Sequence, residues 1–152
     1  MAKIMAIINQ KGGVGKSTTA ATLAAGLSIK GYRTLAIDLD AQGNLTYTAK
    51  AATSGATILG VLTGEVKAAD AIQHLAGGGD IIPASKALAG ADAFISDTGK
   101  EYRLKEALEP IAAAYDFIII DTPPSLGILT INALTACHSV IIPAQADIYS
   151  LQ

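Results

Sequence analysis

The sequence carries a single cysteine, Cys137, so no internal disulfide can hold the fold. One thiol fits a reducing compartment, and its place at the end of an apolar helical stretch marks it as a small core residue. A bridged iron–sulfur cluster, which needs paired thiolates, is excluded with the same observation. Charge is also scarce: 16% of residues are charged against 51% hydrophobic, with a formal net charge of −2. That balance describes a globular chain and not a disordered one. It contains no basic stripe, so the electrostatic footprint of a DNA-binding face is missing from this chain. No apolar run approaches the length of a membrane span. The opening residues lead straight into a glycine loop without a small-residue cleavage site, and read as a strand and not a signal peptide. There are no internal repeats, and Gly77-Gly78-Gly79 reads as a flexible loop too short to link domains. A chain of 152 residues suits one domain, residues 1–152, with a sizeable core.

What is present in strength is a phosphate cradle. The apolar run Ile4 to Ile8 is followed by Asn9-Gln10-Lys11-Gly12-Gly13-Val14-Gly15-Lys16-Ser17-Thr18 and then by an Ala-rich segment with helical spacing to Ile29. Strand, glycine loop and helix together are the context in which Gly-Lys-Ser binds phosphate. Glycines let backbone N–H groups converge on phosphate oxygens, and the helix N-terminus adds positive potential. The expected ligand contacts are Lys11, Gly12, Gly13, Val14, Gly15, Lys16, Ser17 and Thr18, with Lys16 on the β- and γ-phosphates and the Ser17 hydroxyl on Mg²⁺. The usual pattern has glycine six residues before the lysine; Gln10 stands there, and a second lysine, Lys11, sits inside the loop.

Downstream, the spacing predicts a helix from Ser17 to Lys30 with Ala20, Leu23, Ala24 and Leu27 on one narrow face, stopped by Gly31. Arg33 to Leu39 reads as a buried strand delivering Asp38 and Asp40 at its carboxyl end, the edge where open parallel sheets bind ligands. One such aspartate would merely end a strand; two beside a glycine loop point to function. Thr57–Leu62 and Ala68–Leu75 read as short helices separated by Gly64, with His74 a solvated lone histidine. Asp80 to Ala84 is a short strand ended by Pro83. Thr98 and Glu101 have capping-box spacing and should open a helix that Pro110 divides, with Tyr102, Leu104, Leu108 and Ile111 on its apolar side. Asp116 to Asp121 is the clearest strand, β-branched and aromatic as in a sheet covered on both faces. It ends in Asp121-Thr122-Pro123-Pro124-Ser125-Leu126-Gly127, an apolar strand closed by a carboxylate that can hold Mg²⁺ directly or through water. The loop after it is a candidate nucleotide-sensing switch leading into a helix from Ile128 to Ala136. A fifth strand follows from His138 to Pro143, with His138 structural.

Three ordered motifs resemble those of ParA/Soj-type partition ATPases of the ParA/MinD group. These are the two-lysine loop Lys11 to Ser17, the segment Asp38-Leu39-Asp40-Ala41-Gln42-Gly43-Asn44-Leu45-Thr46, and Asp121 to Gly127. In the second, Ala41 stands where the family has proline, which loosens the turn slightly and keeps both carboxylates. The resemblance implies an α/β, P-loop NTPase-like, doubly wound and mostly parallel sheet with the P-loop strand central. It implies ATP and Mg²⁺ as cofactors, an ATP-dependent homodimer, non-specific DNA binding and stimulation by a ParB/Spo0J-type centromere-binding protein. It implies a cytoplasmic, nucleoid-associated ATPase with no membrane partner. Lys16 and the loop amides would hold the phosphates, and Ser17 and Asp121 the Mg²⁺. Asp40 would orient or activate the attacking water, with Asp38 either linked to the Mg²⁺ or standing behind its ligands. Lys11 would reach across the dimer to the partner's ATP, as an arginine finger does. A MinD-like membrane ATPase shares both lysines but needs a C-terminal amphipathic helix not found here; a nucleotide-binding scaffold without hydrolysis is the other alternative. Relatives continue beyond Gln152, so the chain is expected to lack the family's C-terminal strands. That would leave the Val140-Ile141-Ile142 strand with an unpaired apolar edge, weaken base recognition and remove most of the DNA-binding surface.

Overall fold

The computed structural model describes residues 1–8, 16–95 and 98–143, with the backbone alone for Lys16, Ser17 and Thr18. In these residues β1 (Lys3–Ile7) is followed by α1 (Lys16–Ile29), β2 (Thr34–Asp38), α2 (Asn44–Thr48), α3 (Ile58–Thr63) and α4 (Ala68–Ala71). Then come β3 (Gln73–His74), β4 (Asp80–Ile82), α5 (Ala91–Phe94), α6 (Arg103–Leu108), β5 (Phe117–Asp121), α7 (Ile128–Ala136) and β6 (Ser139–Ile141). The six strands form one sheet in the order β3-β4-β2-β5-β1-β6, parallel throughout except for the β3–β4 pair.

Strand side chains alternate between two apolar layers, which is why the runs are apolar at every position. Ile4, Leu35, Ile37, Ile118 and Ile120 face one way, onto Leu62 of α3, Leu104 and Leu108 of α6 and Ala133 of α7. Ile7, Ala36, Ile81 and Ile119 face the other way, onto Ala20, Leu23, Ala24 and Leu27 of α1 and Leu45 of α2. Both faces are therefore wound, as the sequence predicts, and the small-residue stripe of α1 is its sheet-facing side. Gly31 ends α1 at φ +93°, donating to Ser28 O at 3.0 Å while Tyr32 N reaches Leu27 O at 3.1 Å.

Several expectations are corrected. Among the described strands the one that feeds the glycine loop is not in the middle: β1 lies between β5 and β6, one strand in from β6, and β2 and β5 occupy the middle. The helix expected over Ala68–Leu75 stops at Ala71, and Gln73–His74 pair with β4 as a sixth, antiparallel strand. The glycine triplet is the turn of that hairpin. Leu75 N donates to Gly79 O at 2.9 Å, and Gly78 and Gly79 take φ +104° and +78°. A Cβ on Gly79 would also stand 2.7 Å from Ser28 Oγ, so the turn is held tight against α1. His74 is solvated, as expected, and rests its Nδ1 2.7 Å from Asp80 Oδ1.

The capping box at Thr98 is not formed. Gly99, at φ +82°, precedes a 3₁₀ turn without a side-chain cap, and α6 opens only at Arg103. The cap comes from α7 instead: buried Asn132 accepts from Leu104 N at 3.0 Å and donates through Nδ2 to Lys100 O at 3.0 Å. Pro110 divides as predicted, since α6 stops at Leu108. Cys137 is half-buried against the core and burial raises its thiol pKa. His138 is structural: its Nδ1 accepts from Ile4 N at 3.0 Å and its own N donates to Ile4 O at 2.7 Å, clasping β6 to β1. Val140 and Ile142 are exposed on this edge, and residues 144–152 lie outside the described ones.

Candidate functional site

Three strands end level at the carboxyl edge. Ile7 of β1 and Asp38 of β2 are both in register with Asp121 of β5, so the two carboxylates are neighbours across adjacent strands. Both are fully buried, and Asp40 is 8% exposed. Leu39 N donates to Asp121 O at 2.8 Å, which carries the β2–β5 pairing one residue past the strands. Thr122 closes the other side, its hydroxyl and amide both donating to Ile7 O, at 2.8 and 3.3 Å. The chain thus leaves β1 for the glycine loop from a carbonyl pinned by the residue after Asp121.

The turn after β2 is built around Asp38. Asp38 Oδ1 accepts from Asp40 N at 3.1 Å, and Oδ2 accepts from the amide and hydroxyl of Thr46 at 2.9 and 2.7 Å. Gly43 N donates back to Asp40 O at 2.8 Å, and Gln42 N donates to Asp40 Oδ1 at 3.0 Å. Gly43, at φ +68°, then opens α2 in a conformation that suits glycine. The motif Asp38 to Thr46 is therefore a folded unit, a β-turn whose bonds return to its first residue. Burial drives the Asp38 carboxyl above the ordinary carboxylate range; the Thr46 and Asp40 donors oppose this, and the neighbouring Asp121 charge adds to it.

The loop after β5 is anchored at its far end. Ile128 N, the first amide of α7, donates to Asp92 Oδ1 at 3.0 Å, and a Cβ on Gly127 would meet Asp92 Oδ2 at 3.2 Å. Glycine at 127 lets the α5 carboxylate cap α7 closely. Sequence reasoning missed Asp92 and Asn132 altogether and gave no role to Thr46 and Thr122 within their motifs, since the partners of all four are brought near only by the fold.

Of the sequence-predicted site residues, the structure brings Asp38, Asp40 and Asp121 together at one edge. Lys11, Gly12, Gly13, Val14 and Gly15 lie outside the described residues; Lys16, Ser17 and Thr18 form the first residues of α1, their side chains likewise outside. Among the described residues no three His, Cys, Asp or Glu side chains form a metal cage by themselves. Two buried carboxylates stand side by side there instead, and burial raises the pKa of one of them, Asp38. An apolar groove of about 650 Å³ lies elsewhere, between α1 and the β3–β4 hairpin, and none of the three aspartates lines it.

Residues 2–152 match the AAA domain family. The chain is 47% identical over 156 residues to the sporulation initiation inhibitor protein Soj of Bacillus subtilis, covering all of this chain and 62% of Soj. It superposes with TM-score 0.91 on a plasmid partition protein from Borrelia burgdorferi, 33% identical, over 99% of this chain and 69% of that one. The chain belongs to the ParA/Soj-type partitioning ATPase family. A further structural relative is cobyrinic acid a,c-diamide synthase from Mycobacterium smegmatis, solved with an ATP analog and magnesium. It is 42% identical with TM-score 0.93, over 97% of this chain and 62% of that one. Those family members fix the fold class as a mostly parallel P-loop α/β sheet. The chain spans about three fifths of the length of the curated relatives it matches. Among the described residues, no helix is long and apolar enough to cross a membrane.

Proposed function

We propose that the chain binds Mg²⁺-ATP at the carboxyl edge of its sheet and hydrolyses it, as the ATPase of a chromosome or plasmid partition system. The observation that supports this most is the in-register pair Asp38 and Asp121, buried side by side where β1 hands over to the Lys11–Ser17 loop. Two carboxylates at that depth repel, and a divalent cation held there would relieve the repulsion. Hydrolysis of a phosphoanhydride asks mainly for positioning and charge neutralisation, which this chain's residues are suited to supply. Lys16 and the loop amides from Gly12 to Thr18 hold phosphate oxygens. Ser17 and Asp121 hold the cation, and Asp38 stands behind them with both oxygens engaged by the loop. Asp40, on the turn that Asp38 anchors, orients the water. Lys11 reaches the ATP of a second copy, a role worth about 10³–10⁵ in rate where an arginine plays it. At the level of the whole protein, the ATP-bound dimer binds DNA non-specifically in the cytoplasm and on the nucleoid, and a ParB/Spo0J-type protein stimulates it.

The test is titration of the 152-residue chain with a fluorescent ATP analogue, with and without Mg²⁺, followed by single-turnover hydrolysis. Binding that tightens with Mg²⁺, and turnover that needs it, are expected. Binding indifferent to Mg²⁺ overturns the cation site, and binding without turnover leaves the non-hydrolysing scaffold. Sedimentation with and without ATP, and DNA-shift assays at low salt, test the dimer and the DNA contact.

A further inference from the structure

Thr46 sits on α2, eight residues beyond Asp38, and is 3% exposed. Its hydroxyl accepts from Ala84 N, just past β4, at 2.9 Å. An amide can only donate, so the single hydroxyl proton is free to go to Asp38 Oδ2, 2.7 Å away. The Thr46 amide donates to the same oxygen at 2.9 Å. Asp38 passes the constraint on through its other oxygen, which accepts the Asp40 amide at 3.1 Å, and Asp40 Oδ1 takes the Gln42 amide at 3.0 Å. A continuous buried chain of bonds therefore runs from β4 through Thr46 and Asp38 to Asp40. A threonine needed only for shape could be valine, and nothing in that role would call for a hydroxyl with both its capacities used.

We infer that Thr46 is a positioning residue for Asp40: its hydroxyl, braced on Ala84, fixes the Asp38 carboxylate that in turn fixes the Asp40 turn. Asp38 then works chiefly as the anchor of this turn. The consequence for turnover rests on the reading of Asp40 as the hydrolytic residue; the placement of the turn stands on the bonds alone.

Two substitutions separate hydroxyl from shape. Thr46→Val keeps the volume and removes the hydroxyl, and Thr46→Ser keeps the hydroxyl and removes the methyl. In Thr46→Val, amide exchange at Asp40 and Gln42 should accelerate about tenfold or more while the β2 and β5 ladder amides keep their protection. The affinity for the ATP analogue should stay within about threefold, and single-turnover hydrolysis should fall about 100-fold, the scale of a displaced catalytic group. Thr46→Ser should return both readouts to within about threefold of the unsubstituted chain. In an Asp40→Ala background, Thr46→Val should cost turnover nothing further. Unchanged exchange at Asp40 and Gln42 in Thr46→Val overturns the inference, as does an equal loss in Thr46→Ser, which would assign the effect to the methyl. If Thr46→Val does not fold, Thr46→Cys, a poorer donor of similar size, takes its place with the same expected outcomes. A chain that neither binds nor turns over Mg²⁺-ATP would sink the proposed function, while amide exchange would still decide the role of Thr46.

Discussion

At the amino ends of β2 and β5, Arg33 Nη2 donates to Asp116 Oδ1 at 3.1 Å and Arg33 N donates to Oδ2 at 2.7 Å. At the carboxyl ends of the same two strands, Asp38 and Asp121 stand in register, two carboxylates side by side. The first pair is exposed, and hydrogen bonds from Arg33 hold the Asp116 carboxyl below its ordinary range. The second is buried, and Asp38 is pushed the opposite way. The first pair joins opposite charges at the surface and contributes a little to stability; the second sets two carboxylates side by side in the interior.

The comparison would break most visibly at the carboxyl end. Lys16→Ala should weaken Mg²⁺-ATP binding about 100-fold or more, the scale of removing one partner from a desolvated charge pair. Arg33→Ala, at the other end, should leave it unchanged. Lys11→Ala should keep binding and lose the ATP-dependent dimer and turnover; titration and sedimentation of the three variants separate these outcomes, and equal loss of binding in both lysine variants removes the cross-dimer role. Next in size, Asp40→Ala should bind ATP and dimerise but hydrolyse about 10²–10⁴-fold more slowly, read by single turnover. An unmutated rate would move the role elsewhere.

The two ends should also answer pH in opposite senses. Asp116 binds its proton less readily folded than unfolded, so its contribution is present above pH about 4 and is lost as pH falls further. Asp38 binds its proton more readily folded, so stability falls as pH rises from about 4 through its raised pKa. Thermal melts in chelator at low salt should therefore lose the alkaline fall in Asp38→Asn and the acid fall in Asp116→Asn. Because Arg33 and Asp116 are exposed, the second effect is the smaller and should shrink with added salt. Smallest of all, Ala41→Pro should add about 0.4–1 kcal/mol, since Ala41 is the second residue of the Asp40–Gly43 turn, where proline's fixed φ is favoured. A loss of stability would show that Ala41 is outside proline's φ range.

The strands around the site were legible because burial on both faces leaves a signature at every position, as in Phe117 to Ile120. α1 was legible from its apolar spacing, and the site's acids from standing at strand ends. β3 was not, because two residues carry no period of their own and Gln73–His74 are a strand only by virtue of β4. The helix start near Thr98 misled because a local cap competed with a distant one, and buried Asn132 won. The roles of Thr46 and Thr122 could not be read either: the Thr46 hydroxyl serves Asp38 across a turn whose closure only the fold shows, and the Thr122 hydroxyl serves Ile7, 115 residues away across the sheet.

Strand order also bears on how the molecule comes to exist. β1 and β2 are made first, yet they do not touch along their length, because β5 inserts between them. A ribosome must release more than a hundred residues before the two halves of the sheet can close on each other. Contacts so distant in sequence form slowly, and the nascent chain meanwhile shows two apolar strand margins to the cell. The arrival of Phe117–Asp121 joins the halves and sets Asp121 beside Asp38 in the same event. Joining the early strands and pairing the two acids are thus one step, with β6 added afterwards, and no half-made chain can carry the paired acids early.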